Sequence, residues 1–210
     1  MQIHPSIIGL QEFDSPVISS KLWYDLNRSK DVYFINDSGN VSINFAKTET
    51  LHKFETYNGI LTGTSRGEWG GELTFKNNSI EYTILNENVC GILNYKNEIY
   101  VLTGLTHLSI SEGKIIKIEA INDKWEPTFS IEINNSPRTY TIFKNKLYMV
   151  TFDGLIVFDG NSIQQLLSNQ FWSSLYPQSI FINDKIMAIG MRGCLAIVNK
   201  ETYGVKCFRK

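Results

Sequence analysis

The chain has 210 residues, 42% hydrophobic and 12% aromatic, enough to bury a sizeable core and too apolar for a disordered segment. Twenty basic against 21 acidic residues leave a formal charge of −1, which argues against an affinity built on phosphate neutralisation. No apolar run approaches the roughly 18 residues of a membrane span, and Cys90, Cys194 and Cys207 lack the spacing of a disulfide framework or a metal knuckle.

The opening residues, MQIHPSIIGLQEF, show no basic leader, no long apolar stretch and no small-residue cleavage site. The expectation is a soluble, cytoplasmic protein without membrane attachment. The first 30 residues match none of the repeats that follow, and are read as supplying a strand that closes the structure against its own end.

From there a strand pattern recurs. It is weak in KDVYFINDSGNVSINF at 30–45 and NGILTGTSRGEWGGELTF at 58–75, and clear in YKNEIYVLTG at 95–104, FKNKLYMVTFDG at 143–154 and INDKIMAIGMRG at 182–193. Each clear copy has an apolar residue, a polar Asn/Lys/Asp turn, a β-rich run and a glycine, the grammar of a hairpin. Anchored on Val32, Ile60, Ile99, Leu147 and Ile186, the copies are 28, 39, 48 and 39 residues apart. A ragged period near 40 with about four strands per unit predicts an all-β chain. The expected architecture is one β-propeller domain over residues 1–210, with five four-stranded antiparallel blades. An antiparallel sandwich or barrel is the competing architecture. Asp153-Gly154 and Asp159-Gly160 bracket LIVF as two turns around one short strand. A single helix is expected at 163–178, IQQLLSNQFWSSLYPQ, from the stripe Leu166, Leu167, Phe171, Trp172, Leu175 and the stop at Pro177.

Chemistry-bearing patterns are sparse. Gly63-Thr64-Ser65-Arg66-Gly67 matches the G-x-S-x-G elbow of α/β-hydrolases, but that motif requires a helix after the serine, and here two glycines and a strand follow. His4, His52 and His107 are isolated, so no metal site is expected. Glu68 and Glu72 would stand about 13 Å apart along a strand, too far for either glycosidase geometry. No catalytic residue and no cofactor are therefore assigned.

Binding is the remaining option. Only five of the 20 basic residues are arginines, and two of them, Arg66 and Arg192, follow equivalent strands in GTSRG and GMRG. The same turns of other units offer His107 and Asp153. With Glu68 and Trp69, these six residues form the expected partner-binding set, since tryptophan beside arginine is the composition of binding hot spots. Trp69 has two possible fates, packing between sheets or standing at the rim.

RGEWGGEL at 66–73, set among degenerate propeller-like repeats, resembles small bacterial proteins of the polymorphic-toxin neighbourhood, some of which are immunity proteins. The resemblance implies a cytoplasmic, non-enzymatic binding protein whose partner is another protein, a toxin domain, and not nucleic acid. The unbound chain is expected to be a monomer. A sugar-binding propeller is the alternative, with a hydrolase third. The four tryptophans share no repeat context, which favours one asymmetric partner over five equal sugar sites.

Overall fold

The structure, a computed structural model, describes residues 9–45, 51–108 and 110–210. In chain order the described elements begin with strand β1 (Gln11–Phe13), helix α1 (Lys21–Asn27), β2 (Asp31–Ile35) and β3 (Val41–Phe45). Eight strands follow: β4 (Leu51–Thr56), β5 (Gly59–Thr64), β6 (Leu73–Lys76), β7 (Glu81–Leu85), β8 (Val89–Tyr95), β9 (Glu98–His107), β10 (Ile110–Ile121) and β11 (Lys124–Ile133). The last eight are β12 (Pro137–Phe143), β13 (Lys146–Thr151), β14 (Leu155–Phe158), β15 (Ile163–Leu167), β16 (Ser179–Ile182), β17 (Ile186–Met191), β18 (Cys194–Asn199) and β19 (Val205–Arg209). The fold is all-β. His4 lies outside the described residues, and no described helix is long and apolar enough to cross a membrane.

By internal contact the chain divides into two compact units, Thr48–Pro137 and the remainder. In the first, β4 to β7 and β8 to β11 form two four-stranded antiparallel meanders. Its core gathers Leu61, Leu73, Phe75, Val89, Val101, Ile116 and Trp125. The Trp125 indole N–H donates to Asn58 Oδ1 (3.1 Å), so the buried polar atom is satisfied.

The other unit holds two more meanders, β12 to β15 and β16 to β19, and the β2–β3 hairpin. β14, β17 and β18 are buried on both faces, which is why LIVF, IMAIGM and CLAIVN read as unbroken apolar runs rather than alternations. The expected terminal strand exists: β1 pairs antiparallel with β19, Gln11 opposite Arg209 and Phe13 opposite Cys207. The first and last described strands thus share one sheet.

Turn chemistry fixes the hairpins. Lys96-Asn97, Asn122-Asp123 and Lys144-Asn145 all take positive φ at both positions, the type I′ geometry whose twist suits a two-residue connection. The anchors Ile60, Ile99, Leu147 and Ile186 all lie in the second strand of a meander, while Val32 lies in the two-stranded β2–β3 sheet. That explains the short 28-residue step.

The helix expected at 163–178 is not there. Residues Ile163–Leu167 are strand β15, paired with β14 across a bulge at Leu155/Ile156, and Asn169 takes a positive φ that ends the run. The apolar stripe is real, since Phe171, Trp172 and Leu175 are buried, but an irregular turn segment delivers it. The α-helix among the described residues is α1, in the N-terminal stretch that matches none of the repeats. Ser20 caps it by accepting from the Trp23 N–H (3.2 Å), and Trp23 and Leu26, three apart, point into the core.

Candidate partner-binding site

The stretch SRGEWGGELTF lies in the unit Thr48–Pro137, between β5 and β6. Arg66 N–H closes onto the Gly70 carbonyl (2.9 Å), and Gly67–Trp69 forms a single 3₁₀ turn. Gly70 sits at φ 79°, ψ −168°, a region essentially restricted to glycine. At Gly71 a Cβ would stand 2.3 Å from the Thr64 carbonyl oxygen and 2.8 Å from Asn88 Cα, so the chain passes too close for any side chain.

What holds the turn is Asn88, a buried residue on the connection into β8. Its Oδ1 accepts from the Arg66 N–H (3.0 Å) and from Ser65 Oγ (3.3 Å), and its Nδ2 donates to the Gly67 carbonyl (2.8 Å). One side chain therefore ties three consecutive residues. Ser65, the centre of the hydrolase-like motif, spends its hydroxyl on Asn88, and a 3₁₀ turn and a strand follow it instead of an α-helix.

This turn presents Trp69 to solvent: 78% of the residue is exposed. Of its two possible fates, burial between sheets is not the one observed, since the ring is exposed. Trp23, Trp125 and Trp172 are all buried, so Trp69 is the single exposed tryptophan. Arg66 is exposed, and its guanidinium has no ion-pair or hydrogen-bond partner among the described residues. Glu68 Oε2 lies 3.1 Å from His107 Nδ1 at the end of β9, so two more expected residues meet here.

Below the turn opens a cleft of about 470 Å³ lined by Gly67, Glu68 and Gly70, by the Asn86–Glu87–Asn88 connection, and by β9, β10 and β11. Register explains the lining. Lys114 stands opposite Thr103 on one side and Glu132 on the other, and Leu105 opposite Glu112 lies two residues along on the same face. Glu87 is fixed at both oxygens, by Lys114 Nζ (2.7 Å) and by the buried Thr103 hydroxyl (2.7 Å). The Glu87 hydrogen bond raises the Lys114 pKa above its usual range. Partial burial opposes the rise, and the fields of Glu87, Glu132 and Glu112 add to it. Glu112 and Glu132 are exposed and make no hydrogen bond or ion pair among the described residues. Glu72, by contrast, accepts from Thr83 Oγ1 (3.3 Å).

The other two expected residues belong to the second unit. Asp153 is half-buried in the turn after β13, where its carbonyl accepts from the Gln170 N–H (2.7 Å). Arg192 follows β17, as the repeat implied, but its guanidinium is already engaged. It donates to the Asn27 carbonyl (3.0 Å) and stacks on the Tyr176 ring at 4.7 Å, which ties the end of α1 to this sheet. Arg66, Glu68, Trp69 and His107 therefore form one constellation in Thr48–Pro137. Asp153 and Arg192 are described in the other unit.

No protein-family model matches this chain, and no curated protein does. Similar solved structures include a computationally designed protein, Ika8, at 11% identity and TM-score 0.45, the match covering 84% of this chain and 57% of that one. Another is the extracellular domain of a protein assigned to the one-component systems of B. thetaiotaomicron, at 17% identity, TM-score 0.44 and coverages of 85% and 25%. A third is an S. cerevisiae Dbp5 complex with Nup159 and Gle1, at 9% identity, TM-score 0.31 and coverages of 87% and 60%. The chain thus spans less than two thirds of the length of each. Likenesses this partial assign neither a fold nor a function.

Glu87, Asn88, Thr103, Lys114, Glu112 and Glu132 belong to no motif that marks them as a site. The sole available signal was the polar triplet Asn86-Glu87-Asn88 between two apolar runs, a pattern that ordinary turns share.

Proposed function

We propose that this chain is a non-enzymatic binding module that docks a protein partner through the Arg66–Trp69 turn, and that the partner is a toxin domain it neutralises. One observation carries the docking reading: a tryptophan 78% exposed, on a turn that a buried asparagine pins at three consecutive residues. A large apolar ring in water is unfavourable for an isolated protein, and a rigid mount lowers the ordering cost of contact. The immunity reading adds the resemblance of RGEWGGEL to proteins of the toxin neighbourhood, and with it a cytoplasmic location.

The same proposal extends to architecture. Four meanders, a two-stranded hairpin and a pairing of the first and last described strands are parts that a five-bladed propeller would use, with the hairpin as a reduced blade. In such a repeat the turns after the second strands are equivalent. They carry Trp69, His107, Asp153 and Arg192, a set with no repeated aromatic, which weighs against equal sugar sites.

Co-expression with candidate toxin domains, followed by capture on the tagged chain, tests the reading. Against a captured partner, Arg66→Ala and Trp69→Ala should each weaken binding by about 1–3 kcal/mol with the melting temperature unchanged. A partner held equally well by both variants would show that this turn is not the docking element.

A further inference from the structure

Formal charge is divided unevenly along the chain. Thr48–Pro137 contains 12 acidic and 7 basic residues, a formal −5, so the remainder carries +4 and the overall −1 conceals both. Within the acidic unit the cleft collects four carboxylates, Glu68, Glu87, Glu112 and Glu132, against one ammonium, Lys114. Two of the four have internal work, Glu87 on Lys114 and Thr103, Glu68 on His107. Glu112 and Glu132 make no hydrogen bond or ion pair among the described residues. They flank Lys114 on one sheet face, Glu132 opposite it and Glu112 two positions along β10.

Beside this polar cavity stand exposed apolar groups. Trp69 belongs to the turn that forms the cleft's edge, and the β9–β10 hairpin that forms its floor ends in Leu108, 89% exposed, and Ile110, 51% exposed. A neutral polyhydroxylated ligand would not require surplus negative charge, and an anion is repelled. An apolar segment alone would desolvate Glu112 and Glu132 without supplying a counter-charge, which is unfavourable. The complement is a segment both apolar and cationic.

We infer that the cleft receives the guanidinium of an arginine presented by a basic segment of a partner protein, with Trp69, Leu108 and Ile110 covering that segment's apolar flank. This rests on the docking reading above and names the chemistry of the partner. Arginine suits the site better than lysine, because its planar fork can engage two carboxylates at once, whereas an ammonium is a compact, strongly hydrated point charge. The cavity's volume falls within the range of sites that enclose small ligands, so it is roomy enough to take a side chain past the rim.

The test titrates the full chain with three pentapeptides, acetyl-Gly-Leu-Arg-Leu-Gly-amide and its lysine and citrulline counterparts, observing the Trp69 indole ¹H–¹⁵N resonance. The arginine peptide should give a saturable shift with a midpoint on the order of 1 mM, weakened by added salt. The citrulline peptide, isosteric but neutral, should give none. Glu112→Gln combined with Glu132→Gln should raise the midpoint at least about fivefold, since two exposed charges are lost from the contact, while circular dichroism and melting temperature stay unchanged. Equal binding of the citrulline peptide, tighter binding of the lysine peptide, no saturation, or an unaffected double variant each overturn the inference. Salt-sensitive self-association abolished by the double variant would also overturn it, by making the occupant a second copy of this chain. Arg66 and Trp69 remain intact throughout, so a silent cleft beside a working Arg66/Trp69 surface would refute the cleft assignment alone.

Discussion

Removing the Asn88 carboxamide should loosen the binding turn without unfolding the sheets beneath it. Three hydrogen bonds are lost in Asn88→Ala, but they are not equivalent. Arg66 N–H is shared between Asn88 Oδ1 at 3.0 Å and the Gly70 carbonyl at 2.9 Å, so it keeps a partner. Ser65 Oγ can turn to water. The Gly67 carbonyl loses its 2.8 Å donor, yet Gly67 is exposed and can be rehydrated. With each net hydrogen bond contributing about 0.5–1.5 kcal/mol, and one of the three lost bonds backed by a second acceptor, the expected loss is about 1–3 kcal/mol. A small cavity at a residue 7% exposed adds to it.

Urea unfolding followed by circular dichroism measures that loss, and amide exchange at Arg66, Gly67 and Trp69 locates it. Asn88→Asp separates the contributions, because it retains an acceptor for Arg66 and Ser65 but sets a carboxylate oxygen against the Gly67 carbonyl. The aspartate variant should therefore still leave the Gly67 side of the turn loose. If Asn88→Ala leaves both the unfolding midpoint and the exchange of these amides unchanged, the turn is held by its backbone and glycines. Asn88 would then not be the organiser of the site.

Two further outcomes follow from burial and charge. Trp69→Ala should change stability by no more than about 0.5 kcal/mol and remove most acrylamide-quenchable tryptophan emission, whereas Trp172→Ala, at a fully buried ring, should cost about 3–5 kcal/mol. Tyr100 should ionise late, near pH 12 when followed by phenolate absorbance, because burial first, and its hydrogen bond to Glu98 (2.8 Å) second, push its pKa up from 10 to about 12. The sign is that of a raised pKa in the folded state. Tyr100 contributes its stabilisation fully below pH 10 and loses it as pH rises from 10 through 12, so Tyr100→Phe should flatten the alkaline fall in stability across that window.

The all-β class and the second-strand anchors were legible because hairpins advertise themselves locally. Lys-Asn and Asn-Asp pairs between apolar runs tolerate the positive φ that a two-residue turn demands, and that tolerance is a property of two adjacent residues. The false helix at 163–178 shows the reverse case. Phe171, Trp172 and Leu175 are buried as the stripe implied, but periodicity reports which residues face inward, not the backbone that carries them. The strand partner offered by β14 and the positive φ at Asn169 decided the matter. Within the candidate site, Arg66, Glu68 and Trp69 stood out by composition alone, and His107 joined them through the repeat.

Arg192 looked equivalent to Arg66 by the same logic and occupies the equivalent turn, yet its guanidinium is spent on Asn27 and Tyr176. Equivalence of backbone position is a consequence of repetition, whereas freedom of a side chain depends on what an unrelated part of the chain places next to it. The cleft escaped notice for a related reason. Its residues come from the turn at 67–70, a loop at 86–88 and three strands spanning 103–133, and only strand register sets Lys114 between Thr103 and Glu132. Each glutamate taken singly is an ordinary solvated residue of a strand. Surplus charge arises when the ladder aligns them, and Glu112 and Glu132 become a site because Lys114, the cation beside them in the ladder, is already bound to Glu87.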